Sequence, residues 1–598
     1  VLTTETALST AAVTGEEQDD SPAESLPKRD WIHVLVALAL IYGAVARLAS
    51  AHHLTPHIDE PASVLAAKMV SERGLPIFPS GVPYFQGGVL SYLLTPLMWL
   101  GYGDVTDLHT MRMVSVIIGV LTIGAAYLLA RQVSGQRWVG AVAALLVASD
   151  PTSIKWSGLV RMYAPLELFA VLFIWVFALI MMEGPTKRRL IALPVVFWLG
   201  IFTHIATALL FPGVAIVALA IYGRGLYRER RDLGLSLAIT AIAPFALTIL
   251  NSLLGKIYGA PASAGGNIPG VSFVGDHLLT FDSVRSPSFA SWEELFSDST
   301  LLHTTPYVML LLSALVFGAI FLVPAEGEAE HRYRLGMGII LGAYWIPVII
   351  VGVFTNEPQE RYLIHIVPSG FVVIAVALQR IVERGMMVPH TKDVNWQRWA
   401  YVSGSIFLAG VLLIQQSSAA LGLSRHPTLD PDYVAASVWV NDHRDPGQLV
   451  ASAMTPAPYL VFDDNADNLA FFSGNAYSER TNRYVRLENG MEVDYWIGVE
   501  SFYLLNDLCT TIAENPKMFL IIDDARLRNP AAFGGNISTV VRGLMYVAYI
   551  GPGNVVVFRP SPLPSHQAVA EKICARAAEL ASQGIDESTW PTPDLSFR

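Results

Sequence analysis

Apolar residues in this chain are gathered into blocks of about twenty, recurring from Trp31 to about Gln416. A block of that length, wound as an α-helix, matches the ~30 Å hydrocarbon core of a bilayer. This constrains the fold more than any other feature, because backbone polar groups inside a bilayer must be satisfied within the spanning segment itself. The runs near 31–50, 109–130, 138–150, 164–182, 190–203, 208–223, 233–253, 305–323, 335–353, 361–381 and 398–416 predict about eleven helices, some short. The stretch from Leu190 to Gly223 is interrupted by His204 and Pro212, and reads as two short helices or one long broken one. With 53% of its 598 residues apolar and 15% charged, the chain is not a compact cytosolic enzyme. Its net charge of −11, with no Lys/Arg-rich run, argues against nucleic-acid binding. The expected fold is a polytopic α-helical membrane domain over 31–416 followed by a soluble α/β domain over 417–598.

Residues 1–30 carry acidic side chains up to Glu24, little apolar content, and Lys28 and Arg29 only at the end, which predicts a disordered cytoplasmic tail. Lys28 and Arg29 then hold the start of the first helix on the cytoplasmic side. With that orientation the cytoplasmic connections hold fifteen Lys and Arg, whereas the longer opposite loops hold seven. An odd number of spans places the C-terminal domain outside, in a multi-pass protein of the cell membrane. In that domain, runs at Leu449–Met454, Met518–Asp523, Met545–Ile550 and Val555–Arg559 predict strands, and Asp432–His443, Ser501–Glu514 and His566–Ala581 predict helices. Cys509 and Cys574 are too few for a disulfide scaffold or Cys-cluster metal site, but an extracytoplasmic location permits one bridge.

The unusual connection is the first outer loop, from Ala51 to Leu108. After Pro61, the residues Ala62, Leu65, Ala66, Met69 and Val70 share one face of a predicted amphipathic helix. Gly88 to Leu100 is apolar but too short to span, and reads as an interfacial helix. Asp59 and Glu60 stand where the first span meets this shelf. Asp59 on its own reads as a helix cap. A functional reading gains weight because Arg47, His52, His53, His57, Arg112, Asp150, Arg161, His204 and Arg361 are expected at the same membrane depth. Guanidinium groups recognise phosphate oxygens and a carboxylate accepts a proton from an attacking hydroxyl, so the set suits a phosphate-bearing lipid. Asp150 before Pro151 also reads as a helix-end turn, and Arg161 and Arg361 as snorkelling anchors.

The Asp59-Glu60 pair, the helix after it, the aromatic turn Pro83-Tyr84-Phe85 and the interfacial helix together resemble the GT-C superfamily of polyprenyl-phosphate-sugar-dependent glycosyltransferases. The chain is similar to its protein O-mannosyltransferase and lipid A aminoarabinose transferase branch. Ser149-Asp150-Pro151, Arg161-Met162-Tyr163, Thr203-His204, Glu360-Arg361-Tyr362 and Pro368 follow in matching order, so that the resemblance covers roughly 31–416. It implies transfer of a sugar from a polyprenyl-phosphate carrier to an extracytoplasmic acceptor, with Asp59 as base supported by Glu60. Arg161, His204, Arg361, Tyr362, Asp150 and Tyr84 are the implied substrate and phosphate contacts, and Glu60 and His57 the candidates for a divalent metal ion. The aminoarabinose branch places an acidic residue and a Lys after the aromatic pair; Gln86-Gly87 stand here, so those ligands do not carry over.

Two other classes of function remain at this point. A transporter or flippase for a lipid-linked solute would also place charges near membrane helices, but favours midplane sites and paired broken helices. A catalytically silent accessory subunit would share the fold. Among lesser motifs, Asp463–Asn468 begins like a calcium loop but lacks the Gly and Glu such a loop needs. Asp523-Asp524 suits a helix start, and Asn536-Ile537-Ser538 is a glycosylation sequon.

Overall fold

The computed structural model describes residues 31–223, 225–228, 230–259, 262–263, 328–354, 362–386, 395–425, 430–462, 468–472, 485–488, 491–502, 505–528, 530–560 and 564–583. The acidic tail, the apolar run at 305–323, Arg361 and the acidic residues of the calcium-like segment lie outside them.

The membrane part begins with α1 (Trp31–His53), α2 (Glu60–Arg73), α3 (Gly88–Trp99), α4 (Leu108–Ser134), α5 (Arg137–Ser149), α6 (Pro151–Ser157), α7 (Tyr163–Glu183), α8 (Lys187–Thr203) and α9 (Leu210–Tyr222). It continues through α10 (Gly225–Arg228), α11 (Arg231–Ile257), α12 (Glu328–Phe354), α13 (Val367–Met386) and α14 (Asn395–Arg425). Eight helices among the described residues are long and apolar enough to cross a membrane, which makes the chain an integral membrane protein. Arg137–Ser149, with 13 residues, is apolar but shorter. The Leu190–Gly223 stretch is two helices: α8 stops at Thr203, His204 turns extended, and a 3-10 turn (Ile205–Leu209) leads into α9. The side chain of Asp107 accepts from His109 N–H at the start of α4, as that of Thr186 does from Arg189 N–H at the start of α8. The main helix core is built where α4 packs on α5 and α7, α8 on α7 and α11, and α9 on α12.

Beyond α14 the chain folds into α15 (Tyr433–His443), α16 (Pro456–Val461), α17 (Leu505–Glu514), α18 (Asp524–Arg528), α19 (Pro530–Leu544) and α20 (Pro564–Ser582). With them come β2 (Val450–Ser452), β3 (Leu469–Phe472), β6 (Ser501–Phe502), β7 (Phe519–Asp523), β8 (Met545–Ile550) and β9 (Val555–Pro560), in a sheet of order β6-β3-β2-β7-β9-β8. The first four of these strands in spatial order run parallel; β9 is antiparallel to β7 and to β8. A small antiparallel ribbon joins β1 (Ala262–Ser263), β4 (Val485–Glu488) and β5 (Met491–Asp494). The fold is therefore the expected one, a helical membrane domain with a C-terminal α/β domain.

Two expectations change. The helix expected over Ser501–Glu514 starts only at Leu505, because Ser501 and Phe502 pair with β3 as strand β6. The α2 helix forms where predicted, but Val64 and Ala67 are as buried as Leu65 and Ala66. It is enclosed rather than amphipathic, because α3 covers one side and α16 of the C-terminal domain another. The loop between α1 and α4 and the C-terminal sheet share one apolar core, which runs from Val64 and Leu65 through Phe78 to Val450, Phe471 and Phe519.

Candidate active site

Asp59 and Glu60 are adjacent in sequence and opposite in environment. Glu60 is fully buried. Its Oε1 accepts from Arg112 Nε at 3.0 Å and from Val160 N–H at 2.6 Å, and its Oε2 accepts from Arg112 Nη2 and His57 N–H, both at 2.7 Å. Four donors fill the roughly four lone-pair sites of a carboxylate. Arg112 is equally committed, donating also to the carbonyls of Ala51, Leu54 and Thr55. A buried ion pair of this geometry fixes the end of α1, the start of α2, α4 and the segment before Arg161 relative to one another.

Asp59 occupies the N-cap position of α2 without making a side-chain cap bond. Its side chain keeps 30% of its surface exposed and its Oδ2 meets Arg161 Nη2 at 2.9 Å. Arg161 is buried; its Nη1 donates to the Asp59 carbonyl at 3.0 Å and to Ser63 Oγ at 3.4 Å. Desolvation works against its charge, but the Asp59 carboxylate together with Tyr84 and Tyr163 outweighs it, so that the guanidinium is held protonated above its ordinary range. Arg161 Nε is buried and has no hydrogen-bond partner among the described residues.

Rings line this pair. His57 lies 5.7 Å from Trp156, Trp156 lies 4.3 Å from Tyr163, and Tyr163 lies 6.0 Å from His204 between centroids. The Arg161 guanidinium stands 5.8 Å from the Tyr163 ring. His204 is buried and accepts at Nδ1 from Ala206 N–H. Tyr84 joins from the first loop: Gly87, against its ring, donates its N–H to Thr203 O at 2.7 Å, and Tyr84 contributes to the field at Arg161. Gly87 has φ +99°, a left-handed conformation that favours glycine.

Sequence reasoning thus named Asp59, Glu60, Arg161, His204 and Tyr84, which the fold brings together, but not Trp156, whose rings contacts complete the wall. Nothing but proximity to Arg161 in the sequence signals it. Asp150 belongs to a neighbouring group: its Oδ2 caps α6 by accepting from Ser153 N–H at 2.7 Å, and Ser153 Oγ donates to Glu167. Arg47, buried in the same group, donates to the carbonyls of Val147 and Ala148 at the end of α5. Tyr362 is buried just before the 3-10 turn Ile364–Ile366, which packs on α7.

Of the two side chains considered for a metal, Glu60 has its acceptor sites filled. His57 accepts at Nδ1 from Asp59 N–H at 3.1 Å, which leaves Nε2 to carry the proton of the neutral ring. Neither fits a metal ligand as placed, and no chemistry is routed through one.

The sequence signature of the family described as dolichyl-phosphate-mannose-protein mannosyltransferase matches residues 89–248, a stretch that contains Asp150, Arg161 and His204 and begins beyond Asp59. Among solved structures, the chain is similar to the oligosaccharyltransferase AglB from Archaeoglobus fulgidus in complex with an inhibitory peptide and a dolichol-phosphate. The TM-score is 0.55 and the identity 13%, covering 90% of this chain and 75% of that one. It is likewise similar to ArnT from Cupriavidus metallidurans bound to undecaprenyl phosphate, with a TM-score of 0.53 and 14% identity over 88% of this chain and 97% of that one. No curated protein matches the sequence. The chain has the GT-C membrane fold.

Proposed function

We propose that this protein is a membrane glycosyltransferase that moves a sugar from a polyprenyl-phosphate carrier to an extracytoplasmic acceptor. The observation that carries the reading is the Asp59–Arg161 pair, open to solvent on the Asp59 side and seated on the buried Glu60–Arg112 clamp. An acceptor hydroxyl or amine attacks the anomeric carbon while its proton passes to Asp59. The bond from that carbon to the phosphate oxygen breaks, and its electrons leave on the lipid phosphate. Arg161, whose Nε has no hydrogen-bond partner among the described residues, offers a donor for the developing phosphate charge, with His204 and Tyr84 beside it. Arg361 and Tyr362 are proposed to approach the same phosphate, and Asp150 to act through the α6 turn that delivers Arg161. The ring faces of Trp156 and Tyr163 suit a prenyl chain or a sugar ring. The named relatives that bind dolichol-phosphate and undecaprenyl phosphate support this class of carrier.

The Lys/Arg bias supports a cytoplasmic N-terminus and a C-terminal domain on the outside. The Cys509–Cys574 disulfide supports that side, since such bonds persist in oxidising compartments.

The test is transfer of label from polyprenyl-phosphate sugars to candidate acceptors by the purified protein. Asp59→Asn is expected to lower the rate about 10²–10⁴-fold. Equal rates in the two proteins would remove Asp59 as base, and tight lipid-phosphate binding without transfer by the wild type would favour an accessory role.

A further inference from the structure

We propose that the turn Asp494–Val499 of the C-terminal domain is a positioning element for the Tyr84 wall of the site, acting through the first-loop hairpin tip at Ser80; its meaning for donor binding rests on the proposed function. Asp494 is fully buried, and its carboxylate accepts from Thr455 Oγ1 at 2.7 Å and from the N–H groups of Trp496, Ile497, Gly498 and Val499 at 2.8–3.1 Å. With those N–H groups gathered around one carboxylate, the carbonyls of Tyr495 and Trp496 are presented outward. Ser80, 415 positions away, takes both: its Oγ donates to Tyr495 O at 2.5 Å and its N–H to Trp496 O at 3.3 Å.

Ser80 is the tip of a tight hairpin closed by the Ile77–Pro83 bridge, with Phe78 N–H donating to Val82 O and Tyr84 N–H to Pro76 O. The Phe78 ring sits 5.8 Å from Tyr495 and 5.0 Å from Tyr84. From Tyr84 the contact continues through Gly87 to Thr203 O, next to His204. A hairpin this short has little core of its own, so its placement depends on what holds its tip. The docked turn supplies that hold, which couples the outer domain to the phosphate side of the site.

Hydrogen exchange on the full-length protein reads the positioning without any ligand. Asp494→Asn removes a charged acceptor from the turn, and amides of residues 77–87 are expected to exchange roughly tenfold faster while those of 62–70 are unchanged. Ser80→Ala, a milder variant, is expected to give a smaller change over the same residues. Unchanged exchange in both variants, or equal loosening of 62–70, overturns the proposal. Binding of undecaprenyl phosphate then tests the route through Tyr84. Asp494→Asn and Tyr84→Ala are each expected to weaken it about tenfold and the double variant no further, whereas a roughly hundredfold loss means independent action and overturns the route. Failure of the wild type to bind the lipid overturns the carrier reading instead, with the exchange result still deciding the positioning.

Discussion

At the scale of single residues, two neighbouring carboxylates divide the work by exposure. Glu60 spends its acceptor capacity on Arg112, Val160 and His57, which orders the ground on which Asp59 stands half open beside Arg161. His57 records this in its titration. Burial lowers its pKa from the ordinary 6.5, with Asp59 opposing only in part. The unfolded chain therefore takes up this proton at a higher pH than the native protein does, so stability contributed by the neutral ring is complete above about pH 6.5 and is lost as pH falls below it. His57→Gln is expected to flatten the fall in melting temperature between about pH 7.5 and 5.5; an identical slope in both proteins would refute this. The acids were legible because other charged and polar groups were expected at the same membrane depth. Which of them is buried was not, since that depends on Val160 and Arg112, at separations of 100 and 52 residues.

At the scale of elements, the helices are set by how closely they approach. A Cβ on Gly213 of α9 would lie 2.7 Å from the Gly342 carbonyl oxygen of α12, which is backbone and cannot rotate away. Alanine there gains about 1 kcal/mol of helix propensity but forces the pair apart at about 1–3 kcal/mol, so Gly213→Ala is expected to lower thermal stability. At Gly43 of α1 the nearest clash is the end of the Ile123 side chain. Gly43→Ala is expected to be close to neutral, and equal losses in the two melting curves would sink the distinction. Apolar runs marked helices, of which eight among the described residues are long and apolar enough to cross a membrane, because a span must satisfy its own backbone. The α19 helix was not expected, since Gly534 and Gly535 lower its local helix propensity, and α2 was taken as one-sided because nothing local announces the α16 helix that covers it.

At the scale of the whole molecule, the C-terminal domain combines a mixed sheet with a bridge between α17 and α20. Cys509 and Cys574 enclose 65 positions of chain, for which loop closure supplies about 4 kcal/mol. The Cys509→Ser/Cys574→Ser double variant is expected to melt earlier, and reductant to lower the wild type to the same temperature. Insensitivity of the wild type to reductant would argue against an oxidising location for this domain.

The core shared by α2, the Phe78 hairpin and the C-terminal sheet also fixes an order of events during synthesis. The first loop is made early, yet the turn that receives Ser80 follows 415 positions later. Through the insertion of every intervening span, the side of α2 that α16 covers and the parts of the first loop that meet the C-terminal sheet have no permanent cover. The membrane surface is the nearest apolar phase that can shelter them, and closure of the site is then the last step of biogenesis rather than the first.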